Sequence, residues 1–540
     1  MRQPLAALAF FFVALAVAAS SATGHVTRRS APLGANAAFV VTGHGWGHGV
    51  GMSQYGAYGY AQHGFTYAKI IAHYFPGTTL GPAPLARVRV LLTGSAGTLK
   101  IGSAADFSVK DASGESHDVT AGTYTLTPKL MLKVADAQKA KPLSGPLLFQ
   151  PGASPLVLGS RHYRGSIQLD ADTGKLRAIN FVGLEQYLYG VVPSEMPHTW
   201  APEALKAQAV AARSYALATR RAGPFDLYPD TRSQVYLGLD HEQPETNAAV
   251  DATAGKVVLY DGQVAKTYFF SSSGGRTAAS QDVWGTAVPY LVSVPDPYDT
   301  ISPYHNWGPL VFSGAKLARV LHIPKPIQDL QTTLNSSGRV VTMTVTTPLG
   351  AHLFDGTALR RVLGLRSTWF TVGVLALNGP STAVTYGSAA ALTGVARAVG
   401  PVTLQSRSSG TWRDAGAVAP GTDGTLAVSV RPTATTLYRL VSGKIATGST
   451  RVPVAPVVRL IPPRTQTELR GYMKPVVTGA AAFVQRLNGT SWVTVARATV
   501  DASGFFDAQL QLTDGTYRAR VVPGHGLVAG ISPVLQVSTS

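Results

Sequence analysis

A glutamate held between two prolines is the first candidate for chemistry. Glu195 stands in the run Pro193-Ser194-Glu195-Met196-Pro197, and Val191 and Val192 come just before it. A carboxyl held in partly apolar surroundings has a raised pKa, because burial disfavours the charged form, and a general acid needs its proton near neutrality. The same spacing fits a surface glutamate that only solvates a turn. In both cases the two prolines predict a loop.

A glycine-alternating segment is the second candidate. Residues 43–56 read GHGWGHGVGMSQYG, with glycine at every second position up to Gly51. Interior glycines cost a helix up to about 1 kcal/mol each, so the pattern excludes a stable helix. In an extended chain His44, Trp46 and His48 would share one face, and the other face would be bare backbone open to another chain or a sugar ring.

Three interpretations of this segment stay open from the residues alone. His44 and His48 could bind zinc, although no third ligand is obvious. The segment could be a purely structural strand, or a surface that faces a sugar or orients the acid. A dinucleotide fingerprint does not fit the glycine spacing. Residues 267–275 predict a strand that runs into a serine-rich turn, and the absence of a nucleophile-elbow pattern argues against serine hydrolysis.

An alanine-rich helix is the element best placed to position the acid. Pro202 and Glu203 suit its first turn, residues 204–217 are unbroken, and Gly223 with Pro224 ends it. Lys206 and Arg213 are seven residues apart and share one helix face. They form a solvated stripe or, if they point at Glu195, they lower its pKa and oppose the acid role.

The pattern along the chain predicts an α+β fold. Residues 25–375 mix helix and strand signals in a mainly-β domain with the prominent alanine-rich helix, and helix signals vanish after residues 378–380. The rest contains one module twice, with Trp412 answered by Trp492 and Tyr438 by Tyr517. This repeat predicts two small β-sandwiches, residues 380–455 and 456–540, that serve as spacers or wall-binding modules.

The beginning of the chain and its charge indicate an exported protein. Arg2 precedes an apolar run over residues 5–19 and small residues follow, which predicts a secretory signal over residues 1–24, with a retained anchor as the alternative. No later stretch is apolar enough to span a bilayer. Lys and Arg outnumber Asp and Glu by 46 to 28, which favours a polyanionic partner, and export makes anionic wall polymers or lipid better candidates than nucleic acid. With no Cys, disulfides and thiolate metal sites are excluded.

Several stretches of the sequence resemble one family. Residues 190–215, GVVPSEMPHTWAPEALKAQAVAARSY, resemble the core motif of the sporulation protein D/LytB family. Further matches lie at residues 230–236, 269–275, 289–296, 337–340 and 363–367, and the GHGVGMSQYGA of residues 47–57, with residues 73–78, resembles the closing motif of that family. Here the closing motif comes first. A circular permutation would explain the order and leave the motif in its usual spatial place.

The resemblance implies a lytic transglycosylase of peptidoglycan. Glu195 would protonate the glycosidic oxygen between N-acetylmuramic acid and N-acetylglucosamine, and would then accept the proton of the muramic C6 hydroxyl as a 1,6-anhydro ring closes. The resemblance also implies substrate-binding or supporting roles for a further set of residues: Lys206, Arg213, Trp46, His48, Ser53, Gln54 and Tyr55. Some members hold a metal partly through Cys, and since Cys is absent here, we expect no metal and no cofactor.

The expected partners are glycan strands, particularly those stripped of stem peptides, and the expected location is extracytoplasmic, at the cell wall. The resemblance leaves one rival function, a non-catalytic enhancer that binds glycan or an amidase partner without cutting. A structural spacer is a third, weaker alternative.

Overall fold

The computed structural model describes residue 33 and residues 36–539, so the signal expected at residues 1–24 lies outside the described residues. Strands dominate this part of the chain, together with eight α-helices, in agreement with the expected mainly-β α+β class. The described helices include none that is long and apolar enough to cross a membrane. The helices are α1 (Gln54–Gln62), α2 (Tyr67–Tyr74), α3 (Leu184–Glu195), α4 (Pro202–Ala218), α5 (Pro244–Ala252), α6 (Ser280–Trp284), α7 (Gly314–Val320) and α8 (Gly356–Val362).

The alanine-rich helix forms as the sequence predicts. Helix α4 has Pro202 in its first turn and Glu203 near the positive end of its dipole, and it ends at Ala218. It is buried on most sides, since small alanines allow α1, α2, α3 and α5 to approach it closely. This helix is therefore the central support for the elements around it.

Two β-sheets cover one side of this helical group. Their inward-facing residues, such as Val90, Ile167 and Leu169, share one hydrophobic core with Leu188 and Val191 of α3. The first sheet has the strand order Arg87–Ala96, Lys175–Gly183, Ser166–Asp172, Leu147–Gln150, Phe107–Lys110, Ser116–Val119. The second has the order Arg161–Tyr163, Leu156–Leu158, Leu99–Ser103, Gly122–Leu126. Smaller sheets are also present. One three-stranded sheet has the order Gln263–Val264, Lys256–Tyr260, Thr79–Pro82, and another has the order Asp329–Leu334, Val340–Thr347, Gly350–Asp355. A two-stranded sheet pairs Met131–Leu132 with Lys141–Pro142.

A five-stranded antiparallel sheet, called the central sheet, joins an early strand to strands from the later part of the chain. The strand Ala38–His44 lies between Asn306–Ser313 and Phe370–Asn378, and the sheet continues through Ala390–Arg397 to Thr425–Val430. An N-terminal strand is thus inserted among strands from the later part of the chain. The same sheet runs without interruption into the C-terminal region.

The C-terminal region consists of β-strands in two successive groups. The first packs Leu404 and Leu440 against Leu392 of the central sheet, and the second has its own cores around Val484 and Phe506. The strands of the first group are Val384–Thr385, Val402–Arg407, Arg413–Val418, Thr436–Ser442, Ile445–Ala446, Thr450–Val452 and Val454–Ala455. Those of the second are Val457–Leu460, Glu468–Lys474, Ala481–Asn488, Ser491–Thr499, Phe505–Gln509, Gly515–Val522, Gly530–Ile531 and Leu535–Val537.

The two groups repeat one side-chain cluster. The Arg439 guanidinium lies 4.3 Å from the Trp412 ring centroid, and the Arg518 guanidinium lies 4.2 Å from that of Trp492. Arg439 directly follows Tyr438 and Arg518 directly follows Tyr517, so the two tryptophans that the sequence repeat aligns have equivalent arginine neighbours.

Candidate functional site

Glu195 is the last residue of helix α3 and not a loop residue, so the loop prediction is wrong. Pro193 lies inside the last turn, where it removes one backbone hydrogen bond of the helix. The burial of Leu188, Val191 and Val192 on the same helix outweighs that loss. The helix therefore delivers the carboxyl at a fixed point next to Met196, which is buried.

Its surroundings shift the carboxyl of Glu195 toward its protonated form. Burial raises its pKa, and a hydrogen bond from the Val235 N–H to Oε1, at 3.0 Å, opposes this rise in part. The two cations considered from the sequence do not contribute to this shift, because Lys206 pairs with Glu203 at 2.7 Å and Arg213 pairs with Glu185. The conflict between a cationic helix face and an acid role therefore does not arise.

The glycine-alternating segment is an irregular loop beyond His44, so the prediction of an extended strand is wrong there. Gly45, Gly47, Gly49 and Gly51 have φ angles of +70°, +121°, +88° and +82°, in the region that side chains other than glycine rarely adopt. A Cβ on Gly51 would lie 2.1 Å from the Tyr268 carbonyl oxygen. Glycine at alternate positions is thus required both by the backbone conformation and by close packing.

The large side chains of this loop point to different neighbours and do not share one face. His44 packs against Trp369 with ring centroids 4.9 Å apart, Trp46 against Tyr304 at 4.4 Å, and His48 against Trp284 at 5.4 Å. His48 Nδ1 accepts a hydrogen bond from the Val50 N–H. Burial, together with Arg360 and Arg339, lowers the pKa of His48 to about 4, so the ring is neutral at pH 7.

A cleft of about 650 Å³ opens at the Glu195 carboxyl. Four of the residues considered from the sequence line it together: Glu195, Trp46, His48 and Gln54. The other lining side chains were not predicted from the sequence, and of these Tyr268 and Trp284 are aromatic and Arg360 is cationic. Tyr215, Thr231, Ser233, Phe269, Phe270 and Ser271 complete the wall. Many of these lie in the stretches that carry the family resemblance, and that signal could have found them.

The motif that comes early in the chain meets the acid directly. Gln54 Nε2 donates a hydrogen bond of 3.0 Å to the Glu195 carbonyl oxygen. The parallel pairing of Met52–Ser53 with Phe269–Phe270 fixes this segment against the opposite wall of the cleft. The early motif therefore lies beside Glu195 in space, although Gln54 precedes Glu195 by 141 residues in the chain.

Two residues considered as substrate contacts lie in the interior. Arg213 is fully buried and donates from Nε to Glu185 and from Nη1 to the Lys256 carbonyl, so it clamps α4 to α3. Ser53 is also fully buried and caps α1. The expectation that these two side chains contact substrate is wrong, because neither exposes any surface.

The two other expected contacts lie beside the cleft and not in its wall. Lys206 is held by Glu203, whose other oxygen accepts the Tyr67 N–H. The Tyr55 ring packs against Trp200 at 4.8 Å between centroids. Both positions support the helices around the cleft.

Asp299 is a buried carboxylate that organises the base of the site. It accepts five hydrogen bonds of 2.8–3.0 Å, from Ser53 Oγ, Ser272 Oγ, His305 Nδ1 and the backbone N–H groups of Ser273 and Gly274. The serine-rich turn thus binds a carboxylate, which agrees with the absence of a nucleophile pattern. Asp299 could not be identified from the sequence, because an aspartate in a short turn has no periodic signal.

Asp296 lies next to Asp299 and differs from it in its hydrogen bonding. Its Oδ1 accepts a hydrogen bond of 2.8 Å from the Tyr74 hydroxyl, and its Oδ2 is buried without a partner. Burial and the neighbouring Asp299 raise the pKa of Asp296 to about 7.

The zinc interpretation of His44 and His48 gains no third ligand from the structure. Across residues 36–539, the one group of three side chains close enough to share an ion is Asp111, Glu115 and His117, on a hairpin turn. Asp111 already accepts hydrogen bonds from the Ser113 N–H and hydroxyl there.

Comparison with known proteins gives one family and several relatives. The family model described as stage II sporulation protein matches residues 172–260. The amidase enhancer of Bacillus subtilis is 45% identical over 22% of this chain and 16% of its own length. Stage II sporulation protein D of Bacillus amyloliquefaciens is 34% identical over 36% of this chain and 61% of its own length.

These matches cover only part of each protein, since the chain spans less than two thirds of the relatives it matches. Among solved structures, a segment of two fibronectin type III domains from chicken tenascin aligns with 30% of this chain and 97% of that chain. Its TM-score is 0.21 at 15% identity, which is too low to support any assignment.

Proposed function

We propose that the chain is a member of the sporulation protein D/LytB family and an extracytoplasmic lytic transglycosylase that cuts peptidoglycan glycan strands. The observation that carries this proposal is the Glu195 carboxyl, which opens on the cleft with a pKa raised by burial. A raised pKa keeps a larger share of the carboxyl protonated, which favours donation of a proton to a leaving oxygen.

Glu195 acts twice in the proposed mechanism. It first donates its proton to the glycosidic oxygen as an oxocarbenium-like state develops at the muramic C1. The resulting carboxylate keeps the Val235 N–H hydrogen bond, which stabilises its charge. It then takes the proton of the muramic C6 hydroxyl, whose oxygen bonds to C1 and closes the 1,6-anhydro ring. One carboxyl group suffices because the C6 hydroxyl of the substrate, and not a water molecule, attacks C1.

The walls of the cleft suit a carbohydrate. Trp46, Tyr268 and Trp284 present aromatic surface, on which sugar rings stack, and Trp46 is 40% exposed. Thr231 and Ser233 supply hydroxyls for the ring substituents. A glycan strand is therefore the ligand class that the wall chemistry favours.

We also propose that residues 25–375 carry the cleavage and that residues 380–455 and 456–540 form two β-sandwich modules that hold the enzyme at the wall. Residues 380–540 contain 15 Lys and Arg against 6 Asp and Glu. This excess favours contact with anionic wall polymers.

The test is product analysis with purified protein and glycan strands free of stem peptides. We expect products ending in 1,6-anhydro-muramic acid from the wild type, a loss of about a hundredfold or more with Glu195→Gln, and no loss with Glu115→Gln, an exposed glutamate on a distant hairpin. Equal product from wild type and Glu195→Gln would overturn the acid role.

A second candidate function is a non-catalytic enhancer of an amidase, which the similarity to the Bacillus subtilis amidase enhancer favours. Added to an N-acetylmuramoyl-L-alanine amidase, an enhancer would raise the amidase rate equally as wild type and as Glu195→Gln. Binding of glycan without any anhydro product from the wild type would favour this alternative over the transglycosylase.

A further inference from the structure

One end of the cleft carries an uncompensated positive charge. Arg360, on helix α8, lines the cleft together with Glu195, His48 and Trp284. Throughout residues 36–539 its guanidinium makes no ion pair with a carboxylate. Its backbone is anchored by the buried Leu359 beside it, so the side chain starts from a fixed point at the cleft wall.

The groups behind Arg360 add to this potential. Arg339 is 2% exposed and lies against Gly49, on which a Cβ would be 2.4 Å from Arg339 Nη2. Its Nε has no hydrogen-bond partner in the described chain, and Nη2 reaches only the Arg276 carbonyl oxygen, at 3.5 Å. Burial and the proximity of Arg360 lower the pKa of Arg339 to about 10, so it remains a cation at neutral pH.

The carboxylate that interacts with this cluster is already engaged. Asp282, on helix α6, attracts Arg339, but its Oδ2 accepts hydrogen bonds from the Ser336 and Ser337 hydroxyls. His48 is neutral at pH 7 and does not compensate the charge of the two guanidinium groups. Two arginines therefore face one engaged aspartate in partly desolvated surroundings, where charge is expensive unless it is paired.

We propose that Arg360 binds a carboxylate of the glycan, namely the free lactyl carboxylate of a muramic acid residue that lacks its stem peptide. This rests on the proposed function, since it places a glycan strand in the cleft. A guanidinium matches a carboxylate through two parallel hydrogen bonds, which fixes orientation as well as adding affinity. N-acetylglucosamine has no carboxylate, and an attached stem peptide converts the lactyl carboxylate into a neutral amide. Arg360 would thus distinguish the two sugars of the strand and set the register of the bond at Glu195.

Binding to the Glu195→Gln protein tests this without any cleavage. Isothermal titration would compare peptide-free glycan strands, strands that keep their stem peptides, and chitin oligosaccharides, which contain N-acetylglucosamine alone. We expect Arg360→Gln, added to Glu195→Gln, to weaken binding of peptide-free strands about tenfold to a hundredfold, and to leave chitin binding within about twofold. Arg360→Lys, which keeps the charge, should recover part of the affinity.

Arg361→Gln is the matched control, since Arg361 is the exposed neighbour on the same helix. It should bind all three ligands as the parent does. Equal affinity of the Arg360→Gln protein and its parent for peptide-free strands would overturn the proposal. An equal loss for strands that keep their peptides would overturn the lactyl assignment and identify a peptide carboxylate as the ligand. These binding outcomes do not depend on whether the wild type forms anhydro products. Product analysis of the wild type tests cleavage alone, so failure of one proposal can be distinguished from failure of the other.

Discussion

Two carboxyl groups of the site, Glu195 and Asp299, are treated in opposite ways by the fold. Asp299 accepts five hydrogen bonds in the interior, whereas the Glu195 carboxyl accepts one and opens on a cleft. Several donors stabilise a negative charge, so Asp299 serves as a structural anion. A single donor in a desolvated place favours the protonated form, so Glu195 is the better suited of the two to donate a proton. The number of donors, and not burial alone, separates the two roles.

Two adjacent residues connect these regions. The Ser53 hydroxyl donates to Asp299, and the Gln54 amide donates to the Glu195 carbonyl oxygen. The beginning of helix α1 therefore links the structural anion to the helix that carries the acid.

The largest effect on stability is expected at Asp299. Asp299→Ala leaves buried N–H and hydroxyl donors without an acceptor and should lower the free energy of unfolding by about 3–5 kcal/mol. Asp299→Asn, which keeps one oxygen acceptor, should cost less. Urea unfolding followed by tryptophan fluorescence measures both. An Asp299→Ala protein as stable as the wild type would show that the five hydrogen bonds have no organising role.

Replacing the Glu195 carboxyl with an amide should affect activity and leave stability unchanged, the reverse of what is expected at Asp299. Glu195→Gln is expected to reduce cleavage by about 10²–10⁴-fold without lowering the free energy of unfolding, because a neutral amide replaces a carboxyl whose charged form burial disfavours. Anhydro-product formation and urea unfolding, measured on one preparation, give both values. A large loss of stability would place Glu195 in the same structural class as Asp299.

The pH dependence distinguishes the acid further. The pKa of Glu195 is raised on folding, so the native state binds more protons than the unfolded state between the two pKa values. The cleavage rate should fall as pH rises through the raised pKa, since the protonated form is the reactant. Wild-type stability should decline over the same interval relative to Glu195→Gln. A rate that rises through this interval would contradict the acid role.

Asp296 should show its own pH signature. Its pKa rises from 3.8 to about 7 on folding, so its ionisation destabilises the native state as pH increases through that window. Asp296→Asn should therefore be more stable than the wild type above pH 7, and the advantage should vanish below about pH 4. Thermal unfolding at a series of pH values measures the difference. An advantage that is independent of pH would have another origin.

An added side chain in the glycine loop should lower the free energy of unfolding by about 2–5 kcal/mol. Gly49→Ala combines a φ of +88° with a Cβ 2.4 Å from Arg339 Nη2, whereas Gly64→Ala has a similar φ of +80° and open space. The control should cost about 1–2 kcal/mol for backbone strain alone, and Gly49→Ala should cost a further 1–3 kcal/mol for the clash. Equal losses in urea unfolding would show that Arg339 moves aside freely.

The smallest effect is expected at Gln54. Gln54→Ala removes one hydrogen bond to the Glu195 carbonyl and should lower the free energy of unfolding by about 1 kcal/mol. Cleavage should fall severalfold through misplacement of α3, while the pH–rate profile keeps its midpoint. A shifted midpoint would mean that Gln54 acts on the carboxyl itself.

The sequence predicted the supports of the site better than its geometry. Helix α4 follows from local signals, since Pro202, the alanines and Gly223 each act over one or two turns. The conformation of the glycine loop was not predicted correctly. Side chains share one face at alternate positions only in an extended chain, and four glycines with positive φ angles turn this segment away from the extended conformation. The burial of Arg213 was not predicted, for a different reason. A charged residue on a helix is usually solvated, and only the tertiary position of Glu185 allows it to be buried.

The cleft itself could be predicted in part. Trp46, His48, Gln54 and Glu195 meet as the family motifs indicate. Asp299 and Arg360 were missed, because their importance depends on which donors or charges surround them in three dimensions. Such surroundings have no local periodicity.

The strand Ala38–His44 has a consequence for synthesis of the protein. Its two neighbours in the central sheet, Asn306–Ser313 and Phe370–Asn378, are made about 260 and 330 residues later. The glycine loop that follows this strand has no sheet to anchor it until those strands have emerged. A nascent chain therefore cannot assemble the cleft beside Glu195 until these later strands have been made, so whatever the cleft does is confined to chains synthesised at least as far as Asn378.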